Sequence, residues 1–334
     1  MVIIQFYPLA VILCVITMLC WGSWANTQKL ASQKWPFQLF YWDYALGVVL
    51  LTLVFAFTMG SSGTEGRPFL DDLSQGKGSA LGSAFIGGVV FNLANILLVA
   101  AIDLAGMAVA FPIGIGLALA LGVVVNYAAV PEGNPLWLFL GVAFIVAAII
   151  LTAIAYRKLP SDGNRQTSKG IIISLVAGVL MGFFYRFVAA SMASDFAQPE
   201  AGMLTPYTAL VLFSLGLLAS NFLFNSWMMY RPLAGQATTY AAYFQQGTPR
   251  LHLIGVLGGV IWGVGMSLNI LASGAAGPAI SYGLGQGATM VAAIWGVFIW
   301  KEFASAPKGT NRLINLMFVC FIVGLGLIIY SRLS

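Results

Sequence analysis

Apolar residues run along this chain in long continuous blocks between Pro8 and Tyr330, and polar residues collect in the short gaps between them. The blocks lack the alternation of barrel strands, so the pattern predicts α-helices. A helix crosses the hydrocarbon of a bilayer with ~20 residues and satisfies its own backbone groups, which lipid cannot do. Ten spans follow, near 8–28, 40–60, 80–101, 106–128, 135–156, 170–192, 206–230, 252–273, 278–300 and 312–331. Asn134-Pro135 and Thr205-Pro206 each place an N-cap residue before a first-turn proline. The first block has no basic segment ahead of it and continues to Trp24, so it reads as a span and not as a leader. The polar stretches 61–79 and 157–169 are too short to be domains. The second divides the chain into a unit 1–156, a connection 157–169 and a unit 170–334.

Composition removes the alternatives. Hydrophobic residues make up 60% of the 334 and charged residues 7%, whereas a soluble domain carries roughly a quarter charged. The net charge of +5 does not point to nucleic acid, because the basic residues sit at span ends. Eleven lysines and arginines fall in odd-numbered connections and three in even ones or the termini. The positive-inside rule then puts the odd connections in the cytoplasm of an inner-membrane protein and both termini outside. Cys14, Cys20 and Cys320 lie within apolar spans, and a single histidine, His252, gives no metal cluster. No cofactor is implied, and no catalytic constellation suggests an enzyme.

The two units resemble each other. The segment 106–116 aligns without gaps on 277–287, with three glycines coinciding and Phe111 opposite Tyr282. Asn95-Ile-Leu matches Asn269-Ile-Leu when three residues are gapped. Chance similarity of Gly/Ala-rich spans is the alternative. A true repeat of five spans must be inverted, the 5+5 plan of many secondary transporters.

Arg186 in the sixth span is costly in hydrocarbon, so it faces a polar cavity or snorkels to the outer headgroups. Asn92 and Asn95 share a face of the third span, Asn221 and Asn225 share one on the seventh, and Asn269 stands in the eighth. Asparagine suits ring carbonyls and amides; it equally serves to bond helix to helix. Trp24, Tyr282 and Gln286 complete a candidate binding set with Asn92, Asn95, Arg186 and Asn269. Glycine steps at Gly255/Gly259/Gly263, Gly178/Gly182 and Gly283/Gly287 predict close helix packing, and Pro112 with Gly114 predicts an interruption of the fourth span. Asp43 and Asp103 are the acids that could carry a coupled proton, with ion pairing to Lys29 or Lys34 or helix capping as the plainer roles.

Several short motifs, in their order and spacing, resemble the ureide permease family of the drug/metabolite transporter superfamily, near the glucose/ribose and rhamnose porters. They are Gly22-Ser-Trp24, Tyr41-Trp-Asp-Tyr44, Asn92-Leu-Ala-Asn95, Pro206-Tyr-Thr-Ala209, and Trp295-Gly296 through Trp300-Lys-Glu302. The resemblance implies a 5+5 fold around a central cavity and import of a nucleobase, ureide or nucleoside, with protons as the coupling ion. The long central loop and its glycine motif, present in plant members, are replaced by the short stretch 157–169, so ATP has no place here. A monosaccharide permease is the alternative reading, and a non-transporting sensor a further one.

Overall fold

The computed structural model describes residues 1–31, 35–159 and 167–334, the side chains at 107, 108, 111, 112 and 167 excepted. Lys34, Arg165, the middle of the 157–169 connection and the Phe111 and Pro112 side chains lie outside the described residues. The rest is helix. In order the helices are α1 (Tyr7–Ser23), α2 (Ala25–Ala31), α3 (Phe37–Phe57), α4 (Phe69–Gln75), α5 (Gly78–Ala105), α6 (Met107–Ala129) and α7 (Pro135–Tyr156). There follow α8 (Thr167–Ser191), α9 (Pro206–Tyr230), α10 (Tyr240–Gln246), α11 (Pro249–Ala276), α12 (Pro278–Gly285), α13 (Ala288–Ile294), a π-helical turn Trp295–Ile299 and α14 (Thr310–Tyr330).

Nine helical stretches among the described residues are long and apolar enough to span a bilayer, with α1–α2 forming one and α12 through the π turn another. The described part of α6 that is apolar, Ile113–Ala129, is shorter than these. Proline sets several starts, because its missing N–H is one that a helix N-terminus leaves unbonded anyway. Asn134 caps α7 by accepting from Leu136 N–H at 3.0 Å. Thr205 does not cap α9; its N–H and hydroxyl both bond the buried carboxylate of Asp72 instead. Asp72 is also paired with Arg67 at 2.7 Å. The network ties the α4 segment to the connection before α9 and closes that end of the bundle.

The packing rests on glycines at helix crossings. A Cβ on Gly88 of α5 would lie 1.9 Å from the Phe213 carbonyl of α9, and one on Gly216 of α9 would lie 2.0 Å from the Phe85 carbonyl. The same reciprocal contact joins α3 and α11, with Gly47 against the Val256 carbonyl at 2.2 Å and Gly259 against the Tyr44 carbonyl at 2.0 Å. Gly141 and Gly324 repeat it between α7 and α14. No side chain fits at these points, so the helices approach backbone to backbone.

The expected interruption of the fourth span does not occur. The α6 backbone stays helical through Pro112 and Gly114, although a proline beyond the first turn removes a hydrogen bond and crowds the carbonyl four residues back. Gly114 instead receives Gly178 of α8, whose Cβ would sit 2.7 Å from its carbonyl. The break lies in the ninth span, at Gln286-Gly287, where Gly287 N–H turns back to the Leu284 carbonyl at 2.8 Å.

Gly88→Ala and Gly259→Ala should each lower the stability of the detergent-solubilised protein by about 1–3 kcal/mol, the usual cost of overpacking. Gly82→Ala, on α5 but facing open space, should not lower the unfolding midpoint, since alanine is the better helix former.

Candidate solute site

Two breaks in helix deliver side chains to one cavity. Trp24 is the joint between α1 and α2, and Gln286 is the joint between α12 and α13. Gly22 lets α1 approach α13 closely, because a Cβ there would meet the Ala288 carbonyl at 2.6 Å. The cavity between them holds about 680 Å³, and α5, α6, α7, α8 and α11 complete its wall. That volume is ordinary for a small-molecule site.

Aromatic rings form the deep part. Trp21 and Trp262 stack at 5.9 Å with an interplanar angle of 13°, Phe91 lies 4.5 Å from Trp262, and Phe184 lies 5.1 Å from Phe91. The Trp21 indole N–H is used, donating to the Trp262 carbonyl at 3.3 Å. Three polar side chains here keep hydrogen-bonding capacity for a solute. Asn95 donates from Nδ2 to the Tyr41 hydroxyl at 3.1 Å, which leaves its Oδ1 for the cavity. The Gln286 side-chain amide and the Trp24 indole line the same space.

Charged groups stand at the mouth. Lys29 pairs with Glu302 at 2.9 Å and lies 4.2 Å over the Trp300 ring. The Tyr156 hydroxyl donates to the second Glu302 oxygen at 2.6 Å. Indole N–H groups of Trp300 and Trp295 donate to Asn26 and Ser23 at 2.7 and 2.8 Å. Asp103 lines the mouth from α5 and is shared with a side crevice of about 200 Å³ between α3, α5 and α9. The mouth therefore opens on the side of the Lys/Arg-rich connections, opposite the Arg67–Asp72 closure.

Of the seven expected binding residues, Trp24, Asn95 and Gln286 line the cavity. Asn92, Asn269 and Tyr282 are buried behind the wall. Asn92 donates to Ser220 at 2.9 Å and joins α5 to α9; Asn269 donates to the Ser281 carbonyl at 2.7 Å and joins α11 to α12. The Tyr282 hydroxyl lies 3.1 Å from the carbonyls of both Ala118 and Met181. All three bond helix to helix. Arg186 is not part of the lining: Met181 and Phe184 carry the cavity face of α8, and two residues further on is about 200° around a helix. Thr289 and the aromatic floor of Phe91 and Phe184 were not singled out from the sequence, since nothing distinguishes them from ordinary apolar-span residues.

Asp43 does not line the cavity and does not pair with Lys29. Its buried carboxylate accepts from Trp35 at 3.3 Å, from His252 at 2.9 Å and from the Tyr243 hydroxyl. Burial first, and then the carboxylate it donates to, push the Tyr243 hydroxyl up from its ordinary range, so it remains a donor. The cluster ties α10 and α11 to the start of α3.

A sequence model described as "Ureide permease" matches residues 40–169 and 158–331. Ureide permease 1 of Arabidopsis thaliana is 21% identical over 379 residues, covering 96% of each chain. Ureide permease 4 of the same plant is 22% identical over 385 residues, covering 95% of each. A protein of known crystal structure shares the fold with a TM-score of 0.60 at 12% identity, over 96% of each chain.

Asp43→Ala strands the buried Trp35 indole N–H together with the half-buried His252 and Tyr243 donors, and a buried donor left unpaired costs about 1–3 kcal/mol. It should lower the unfolding midpoint well below that of Tyr243→Phe while leaving solute affinity within about threefold, a shift under 1 kcal/mol.

Proposed function

The chain belongs to the ureide permease family, a family of membrane transporters, and on that premise we propose that it imports an uncharged, nitrogen-rich planar solute through the cavity described above. The observation that carries this reading is the combination of free neutral hydrogen-bonding groups with an aromatic floor. Asn95 Oδ1, the Gln286 amide and the Trp24 indole offer acceptors and donors, while the charged groups stand at the mouth. An ionic solute would have to shed its water without a deep counter-charge. A ring carrying amide or ureide edges meets both the hydrogen bonds and the stacking faces.

The proposed architecture is ten spans in a 5+5 inverted repeat, with α6 as the fourth span. Two matching features support it. Gly106 between α5 and α6 has φ 80° and ψ 158°, and Gly277 between α11 and α12 has φ 83° and ψ 151°. The reciprocal glycine crossing of α5 with α9 has its counterpart in α3 with α11. Gly88 to Gly106 and Gly259 to Gly277 are each eighteen residues, so this register leaves no room for a gap between them. Asn95 then corresponds to Met266, and the likeness to Asn269 is not a repeat match.

With the basic connections in the cytoplasm, the open mouth faces inward and both termini lie outside. Proton coupling is assigned to Asp103, which lines the cavity and, unlike the other lining acid Glu302, is not held by Lys29 and Tyr156; Asp43 serves the α3–α10–α11 junction.

Uptake of labelled allantoin, uracil and ribose by cells producing the protein tests the reading. Heterocycle uptake should fall at least about tenfold in Asn95→Leu and Gln286→Leu, the loss of one or two buried hydrogen bonds, and persist in Arg186→Ala. Asp103→Asn should abolish accumulation driven by a pH gradient while exchange continues. Uptake of ribose alone would overturn the planar-heterocycle assignment.

A further inference from the structure

The cavity is open at its mouth and closed at the other end, and tyrosine hydroxyls make the closure. Along α8, Met181 and Phe184 line the cavity and Tyr185 follows. The helix ends at Ser191, whose carbonyl accepts from Leu204 N–H in the connection that Asp72 holds. Along α12 the order is reversed: Ser281 and Tyr282 come first after the Gly277 turn, and Gln286 reaches the cavity a turn later. Tyr185, Ser281 and Tyr282 therefore lie between the cavity and the end opposite the mouth, and all three are wholly buried. A carrier with alternating access must open that end in another state. We propose that α12 is the gate of the closed end, latched to α6 and α8 by the Tyr282 hydroxyl. The proposal rests on the reading of the cavity as the solute site.

The latch has one possible direction. Carbonyl oxygens only accept, so the Tyr282 hydroxyl donates, and it stands 3.1 Å from both the Ala118 carbonyl of α6 and the Met181 carbonyl of α8. Tyr185 joins α8 to α12 a second time, through the Ser281 hydroxyl at 3.1 Å. Gly122 of α6 makes room for the Tyr282 ring, since a Cβ there would lie 2.3 Å from its Cε1. Phe184 packs against both tyrosines, 6.1 Å from Tyr185 and 6.3 Å from Tyr282. The floor that a solute touches is thus the inner surface of the seal.

α12 is jointed at both ends. It starts after Gly277, whose φ of 83° suits glycine, and it stops at the Gln286-Gly287 break. A helix interrupted on both sides can turn as a unit without bending its own ladder. Turning away from α6 and α8 exchanges the Tyr282 bond for one to water. The latch therefore contributes only the net worth of a hydrogen bond, small enough to break in every cycle.

The test reads which face of the membrane reaches the cavity. Ala292 of α13 lines it. Ala292→Cys, in a protein whose three native cysteines are replaced by alanine, is exposed to a membrane-impermeant thiol reagent in intact cells and in inside-out vesicles. Labelling should come chiefly from one face, that of the mouth, and uracil or allantoin should slow it. Tyr282→Phe keeps the ring and orphans no carbonyl, because the helix ladders of α6 and α8 already use both. Its labelling from the opposite face should rise about fivefold or more, the worth of one net hydrogen bond. Tyr185→Phe should act in the same direction. Tyr127→Phe, whose hydroxyl bonds the Gly133 carbonyl in the α6–α7 connection, should not. Unchanged sidedness in both Tyr282→Phe and Tyr185→Phe, with unfolding midpoints that show them folded, overturns the gate. An equal rise in Tyr127→Phe overturns the assignment of the latch to Tyr282. Labelling that neither uracil nor allantoin slows overturns the underlying reading of the cavity.

Discussion

The structure depends on backbone meeting backbone at glycine. Where α5 crosses α9, and where α3 crosses α11, each glycine lies under a carbonyl of the facing helix three residues before the partner's own glycine. Lipid offers no hydrophobic drive for helices to associate, so dispersion contacts at close range carry the association. Any side chain at these points would push the helices apart. The consequence reaches the cavity, because α5 brings Asn95 and Phe91 and α11 brings Trp262 to the space enclosed. Widening either crossing would move the wall that a solute must touch.

The cavity's chemistry follows from helix discontinuity as much as from side-chain identity. Trp24 and Gln286 both occupy joints, where short-range turns replace the regular ladder. Such joints occur in membrane interiors where they line a cavity. The mouth, by contrast, is dressed with groups that bond one another: Lys29, Glu302 and Tyr156 join α2, the segment after the π turn, and α7. Polar strength is thus spent on holding helices at the mouth and kept available in the interior.

Much of this was legible in the chain. Hydropathy places nearly every helix within a few residues of where it lies, because bilayer thickness sets one length scale for all of them. Proline marked the starts of α7 and α9 for the same backbone reason in each case. Side-chain roles were legible only where burial was not the deciding factor. Asn92 and Asn95 share a helix face in sequence, yet one bonds Ser220 and the other reaches the cavity; the difference is the position of α9, which no local pattern encodes. Arg186 drew notice by its cost in lipid, but the rotation of α8 turns Phe184 and not Arg186 to the cavity. The partners of Asp43 come from α10 and α11, some two hundred residues away, and sequence proximity pointed to lysines instead.

The central claim is that a neutral heterocyclic solute sits between the aromatic floor and the Asn95, Gln286 and Trp24 side chains. The most direct measurement is an experimental structure of the protein with allantoin or uracil bound. The account predicts density for the ring within hydrogen-bonding distance of Asn95 Oδ1 and the Gln286 amide. Density elsewhere, in the side crevice at Gln38 and Gln236 or beside Arg186, would contradict it.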